Sequence, residues 1–295
     1  MKLIKYCSIG LTTLLLLFLG HLCFDDVQAQ ASYYSSLKNS SIQITTPNSS
    51  SISCQDSLLI EGSSNLKEIW FGIRGPQQEL SLWKAQVKEG IFSTTINLRF
   101  GSGQYTIWAG ADPHRFDGTI RFLVHNQSVT DNRYMVASIY VDSHQSEIID
   151  LAAAIAPEGM SGREKAESIH SWITQNIKYD YEAYLNQDVH LRQASQILKE
   201  GKGLCRDFSF LFAALARAAQ LPAKVVYGQA ETDSNWEMHA WNEVMIDGQW
   251  VAVDSSWDAG YIKGKSFVQA PSRKYLAPDA KTFALTHRLT QTTVH

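Results

Sequence analysis

The chain has few of the residues from which metal centres are built. Its 295 residues include four cysteines, and no Cys-x-x-Cys, His-Glu-x-x-His or calcium-loop spacing occurs. No metal and no cofactor is therefore expected. Charge of one sign is missing too: 26 Lys and Arg stand against 29 Asp and Glu, a net −3. Lacking a basic field, the chain is not expected to bind nucleic acid, and its scattered basic side chains read as solvated faces. The longest apolar run, Ile9 to Gly20, falls short of the roughly 20 residues that span a bilayer. It follows Lys2 and Lys5 and precedes Ala29-Gln30-Ala31, the order of a secretory signal peptide over residues 1–31. Leu22 is not the small residue that a lipid-attachment site needs before Cys23. The expected mature protein is secreted or held at the cell surface, with no stable membrane span after signal cleavage.

Removing that segment takes Cys7 and Cys23 with it and leaves Cys54 and Cys205. In an oxidising compartment a pair invites a disulfide. These two fall in separate expected domains, so both are expected as free thiols, Cys54 as a small buried strand residue.

Ser32 to Ser53 is rich in Ser, Asn and Thr and reads as a tether into a first strand near Ile42-Gln43-Ile44. From Ser57 to Asn126, β-rich runs recur about every ten residues between turn signals, at Leu58–Ile60, Glu68–Ile73, Leu82–Val87, Phe92–Leu98, Tyr105–Ala109 and Thr119–Val124. That rhythm predicts an antiparallel β-sandwich over residues 32–126. Asp112, His114 and Asp117 are its only polar cluster, and read as turn residues around Pro113. Residues 127–145 read as a linker whose Arg133–Val136 and Ile139–Val141 dock on the second domain.

Residues 146–295 change character. Ser146 opens a helix that Pro157 stops. Ser161 and Glu164 form a capping box before Ala166, Ile169, Ile173 and Ile177 on one face. Asp188 is expected to cap a third helix carrying Leu191, Ala194, Ile197 and Leu198. His170 and His190 read as surface or capping residues. Next comes Gly201-Lys202-Gly203-Leu204-Cys205-Arg206-Asp207-Phe208, followed by Leu211, Phe212, Leu215, Ala216 and Ala219 at helical spacing until Leu221-Pro222. Cys205 then sits in the first turn of a helix, where unpaired N–H groups and the dipole favour a thiolate. Asp207, in the same turn, is expected to play a structural part.

Downstream, Asp247-Gly248 separates two strand-like runs and predicts a hairpin. Pairing Ile246 with Gln249 puts Trp241 opposite Asp254 and His239 opposite Ser256, so His239 and Asp254 become diagonal neighbours about 7 Å apart. An imidazole held by a carboxylate on one nitrogen can take a thiol proton on the other. The candidate catalytic residues are Cys205, His239 and Asp254, with Trp172, Tyr179 and Trp236 as candidates to line the acyl pocket or to supply an oxyanion donor beside the Cys205 N–H, and Trp241 as a shield for the His–Asp bond.

The runs Gly-Lys-Gly-Leu-Cys-Arg-Asp-Phe, Leu221–Gly228, His239–Val244 and Trp250–Asp254, with Ile169–Trp172 and Asn176–Asp180 upstream, resemble the transglutaminase-like superfamily, including its bacterial members. The resemblance covers roughly Tyr134 to Arg288. It implies a papain-like α+β core, with Cys205, His239 and Asp254 on the family's nucleophile, base and orienting acid. Many members have Pro-Thr or Pro-Ser after the aspartate where Ser255-Ser256 stands here, which puts the local turn in doubt. The stretches Gly90–Thr94 and Gly101–Tyr105 are similar to bacterial immunoglobulin-like modules. The implied activity is acyl transfer from a protein or peptide substrate, through a thioester, to an amine or to water. Cysteine peptidase or amidase action, and a non-catalytic adhesion protein, are the alternatives.

Overall fold

The structure, a computed structural model, describes residues 36–232 and 235–292. The expected signal peptide lies outside the described residues. Two compact units meet at Asp131/Asn132.

The first unit is all β. Its strands are β1 (Ile42–Thr46), β2 (Ser51–Cys54), β3 (Ser57–Ser64), β4 (Glu68–Arg74), β5 (Leu80–Gln86), β6 (Ile91–Asn97), β7 (Gly103–Gly110) and β8 (Ile120–Asn126). They form two sheets, β1-β3-β6 and β2-β8-β7-β4-β5. Alternate residues turn inward, as in Ile69, Phe71 and Ile73 of β4 and Ile120, Phe122 and Val124 of β8. Phe71 of one sheet meets Phe92 of the other with ring centroids 6.4 Å apart, which makes the pair of sheets a sandwich. One strand departs from expectation. The Ser-rich tether contains β2, which pairs parallel with β8, Ser51 against Leu123. Composition hides this because a strand that joins a sheet edge needs backbone groups more than apolar side chains. Cys54, at the end of β2, is half-buried rather than buried. Asp112 and Asp117 accept the N–H groups of His114 and Thr119, as turn residues do.

The second unit begins at Asn132, so residues 132–145, expected as linker, are part of it. The Tyr134 carbonyl accepts the Ala223 N–H at 3.0 Å, and the Val136 carbonyl accepts Arg217 Nη1 at 3.0 Å. Its helices are α1 (Ser146–Ile155), α2 (Gly162–Asn176), α3 (Tyr181–Leu185), α4 (Ala194–Glu200), α5 (Cys205–Ala218), α6 (Ser255–Ala259) and α7 (Ala280–Ala284). The expected capping box opens α2: Ser161 Oγ accepts the Glu164 N–H, and the Glu164 carboxylate accepts the Ser161 N–H. Asp188 caps no helix; it accepts the His190 N–H. Residues 188–193 form no helix, and Arg206 Nη2 takes the carbonyls of Asp188 and His190 at 2.7 and 2.9 Å, groups a helix would have used.

Helix α5 is the centre of this unit. Every residue from Asp207 to Arg217 is buried, which is the signature of a helix enclosed on all sides. Helices α1, α2 and α4 pack on it, and so does a sheet of β11 (Ala223–Thr232), β12 (Asn235–Ile246), β13 (Gln249–Val253) and β16 (His287–Thr292) in the order β13-β12-β11-β16. Short pairs complete the unit: β9 (Lys178–Tyr179) runs parallel to β10 (Lys202–Gly203), and β14 (Gly260–Lys263) pairs with β15 (Ser266–Gln269). The β12–β13 hairpin has the expected register, Ile246 against Gln249, and ends at Asn242 against Val253. It does not reach His239 and Ser256 as a ladder, because Ser256 has entered α6.

Candidate active site

Three pieces of backbone deliver the three candidate residues to one place. Cys205 is the first residue of α5, half-buried, behind β10. The β9–β10 pairing aligns Tyr179 with Gly203 and so brings Tyr179 beside the thiol. Asp207 Oδ2 accepts the Leu204 N–H at 2.8 Å and is gripped by Arg192 Nη2 at 2.5 Å. A Cβ on Gly203 would lie 2.5 Å from the Asp207 Cβ. The glycine therefore lets the strand turn tightly into the helix, and the structural part expected of Asp207 is to hold that turn.

Strand β12 carries His239, and Asn242 locks the strand to the cysteine helix. Its side-chain amide donates to the Ser209 carbonyl of α5 at 3.0 Å and to the Lys224 carbonyl of β11 at 2.9 Å. His239 Nε2 lies 2.7 Å from Asp254 Oδ2, and Cys205 is near enough to His239 to favour its charged form. With Nε2 on the carboxylate, Nδ1 is the nitrogen left for the thiol.

Asp254 succeeds β13 in the chain and is the N-cap of α6. Its Oδ1 accepts the N–H groups of Ser256 and Trp257 at 3.0 and 3.1 Å and the Ser256 hydroxyl at 2.7 Å. Ser255-Ser256 thus forms a sound local turn: a short helix begins where many relatives place proline, and the carboxylate satisfies its first N–H groups.

Burial is severe here, with Asp254 1% and His239 8% exposed, so the charges act in a medium of low polarity. Burial alone would lower the His239 pKa. The Asp254 charge and hydrogen bond, with Cys205 adding to them, outweigh it and raise the pKa to about 10. Burial would raise the Asp254 pKa, but His239 and then His287 hold its carboxyl well below the usual range. The phenols of Tyr179 and Tyr227 are pushed above their ordinary value, by burial first; Arg206 opposes the rise at both, and Cys205 adds to it. Both stay protonated and able to donate.

The structure brings Cys205, His239 and Asp254 together, and it places the other candidates differently. Tyr179 adjoins Cys205, Trp172 packs on the helical core, and Trp236 lies under the Arg288 guanidinium at 3.6 Å. The Trp241 ring is stacked toward His239, centroids 6.3 Å apart. It crosses Gly228, where a Cβ would come within 2.4 Å of the ring.

Two buried histidines went unforeseen. His170, expected at the surface, is fully buried with Nε2 2.9 Å from Asp258 Oδ2. The signal was present: His170 stands four residues after Ala166 and three before Ile173, on the apolar face. His287 opens β16, a strand with no warning in the sequence, and its Nε2 lies 3.2 Å from Asp254 Oδ2. His239, Asp254 and His287 offer donor atoms within 4.8 Å of one another, close enough for a metal ion. The separations of 2.7 and 3.2 Å are those of N–H···O bonds, and we read them so.

Residues 149–255 match the family model described as the transglutaminase-like superfamily, and this part of the chain is a transglutaminase-like core. Among curated proteins, kyphoscoliosis peptidase of Mus musculus is 29% identical over 126 residues, covering 40% of this chain and 19% of that protein. The Homo sapiens protein of the same name is 26% identical over 163 residues, covering 52% and 24%. The matches thus span about a fifth to a quarter of these relatives. A Cytophaga hutchinsonii structure, provisionally described as a cysteine protease, aligns over 88% of this chain and 79% of that one at 18% identity and TM-score 0.39.

Proposed function

We propose that this protein is an exported cysteine-dependent acyl transferase that acts on protein glutamine or peptide amide groups through a thioester on Cys205. The observation that carries the reading is the buried His239–Asp254 pair, 2.7 Å apart, with Cys205 near enough to act on the charge of His239. His239 holds on Nδ1 the proton that the thiol gives up, and the sulfur forms a bond to the carboxamide carbon while the C=O electron pair moves to oxygen. The N–H groups at the start of α5, with the protonated Tyr179 alongside, face the oxyanion. His239 returns its proton to the departing nitrogen, ammonia leaves, and the thioester remains. A primary amine then attacks, losing its proton to His239, and the thiolate departs. Water in place of the amine yields deamidation or, on a backbone amide, hydrolysis. Export rests on the signal-like pattern of residues 1–31.

Peptide hydrolysis is the second reading, favoured by the name of the two curated relatives. One experiment separates the two. The mature chain and Cys205→Ala are incubated with a glutamine-containing protein and a primary amine, and the products are weighed by mass spectrometry. Amine incorporation or deamidation that the variant lacks supports acyl transfer, and cleavage that it lacks supports the peptidase. No change in a broad panel, or equal products from both proteins, contradicts both.

A further inference from the structure

We propose that His287 is a positioning residue: it fixes the Asp254 carboxylate in the plane of His239 while the proton on His239 comes and goes. The proposal rests on the reading of Cys205 and His239 as nucleophile and base.

Asp254 is engaged at every polar atom of its carboxylate. Oδ1 is committed to α6 by Ser256 and Trp257, and the Asp254 N–H goes to the Tyr275 carbonyl. Oδ2 faces two imidazoles, His239 of β12 at 2.7 Å and His287 of β16 at 3.2 Å. These strands lie on either side of β11, so His287 reaches the carboxylate from the opposite edge of the sheet to β13.

The His287 ring is held on every side. Nδ1 lies 2.9 Å from Thr286 Oγ1, which fixes the ring's far end. Phe283 stacks on it at 3.9 Å and 12°, while Trp241 and Tyr275 meet it edge-on at 5.3 and 5.5 Å. A fixed, desolvated ring is a donor whose direction does not wander.

Such a donor matters because the other one changes. When His239 gives up its proton during acyl transfer, the attraction between imidazolium and carboxylate is lost, yet the carboxylate stays buried. A buried charge with a lone pair unmet is costly. His287 continues to donate to Oδ2 in both states, so Asp254 stays where His239 needs it for the return of the proton.

The test is the rate at which iodoacetamide alkylates Cys205, located by peptide mass mapping with Cys54 as internal reference, from about pH 5 to pH 10. It compares the intact mature chain with His287→Phe, which keeps the stacking but removes the donor, and His287→Gln, whose amide N–H can replace Nε2–H. The expected result is a loss on the order of tenfold to a hundredfold at neutral pH in His287→Phe, with the profile moved to higher pH. His287→Gln is expected to stay within about threefold of the parent. A His287→Phe profile that overlays the parent, or a His287→Gln that falls as far, overturns the proposal, the latter because packing alone would then matter. If His287→Phe fails to fold, Thr286→Val, which releases Nδ1, is expected to shift the profile the same way, and an unchanged profile counts against the proposal. Parent Cys205 no faster than Cys54 at any pH would instead overturn the nucleophile reading.

Discussion

His239 is the residue on which the electrostatics of the site converge. A buried carboxylate bonds its ring and a nearby thiol adds to the effect, and its pKa of about 10 exceeds the ordinary value near 6.5. A raised folded pKa means that the bound proton stabilises the fold in full below about pH 6.5 and that this stability drains away as pH rises through 10. The urea midpoint of the parent is therefore expected to fall between those limits, and that of His239→Gln to fall less over the same window. Parallel curves would show that the proton on His239 carries no stability. The type and chain order of the three candidate residues are legible in the sequence, because a thiol, an imidazole and a carboxylate need only be named. The second histidine on Asp254 was not, since nothing local to His287 says which carboxylate it will meet.

At the scale of elements, the site depends on two entries into short or tightly packed structure. One is the turn from β10 into α5, closed by Asp207 between the Leu204 N–H and Arg192. Gly203→Ala would force a methyl group to within 2.5 Å of a side chain pinned on two sides. We expect it to cost about 1–3 kcal/mol, read as a lower urea midpoint, together with slower alkylation of Cys205. An unchanged midpoint would mean that the turn has slack. The other entry is the N-cap of α6, where Asp254 caps a helix and meets His239 at once. Elements whose causes are local could be read ahead: the capping box of α2, the start and apolar spacing of α5 and the register of the β12–β13 hairpin. Those set by distant partners could not. Residues 188–190 lose two carbonyls to Arg206 and form no helix, β2 joins a sheet by its edge, and β16 adds to β11 from the far end of the chain.

For the whole molecule, the division into units supplies an internal control for the thiol chemistry. Both thiols that lie outside the expected signal peptide are half-buried, but they sit in different units. Cys54 ends a strand near Asp56, and burial together with that negative charge pushes its thiol pKa up. Cys205 begins a buried helix and lies within electrostatic reach of His239. The sandwich and the α+β core are both legible in the sequence, and so is the docking of Arg133–Val136 and Ile139–Val141 on the second unit. What composition does not display is that this unit begins at Asn132, with Val141 in its core and the Tyr134 and Val136 carbonyls accepting bonds from Ala223 and Arg217. Everything proposed for the site requires that Cys205 carry the acyl group, and the decisive experiment is to quench the mature chain with acid during turnover of a glutamine substrate and map the adduct by mass. A thioester is expected on the peptide containing Cys205, none on the peptide containing Cys54, and added amine is expected to discharge it. An acyl group on neither cysteine while product forms, or one divided equally between them, would refute the assignment of Cys205 as nucleophile.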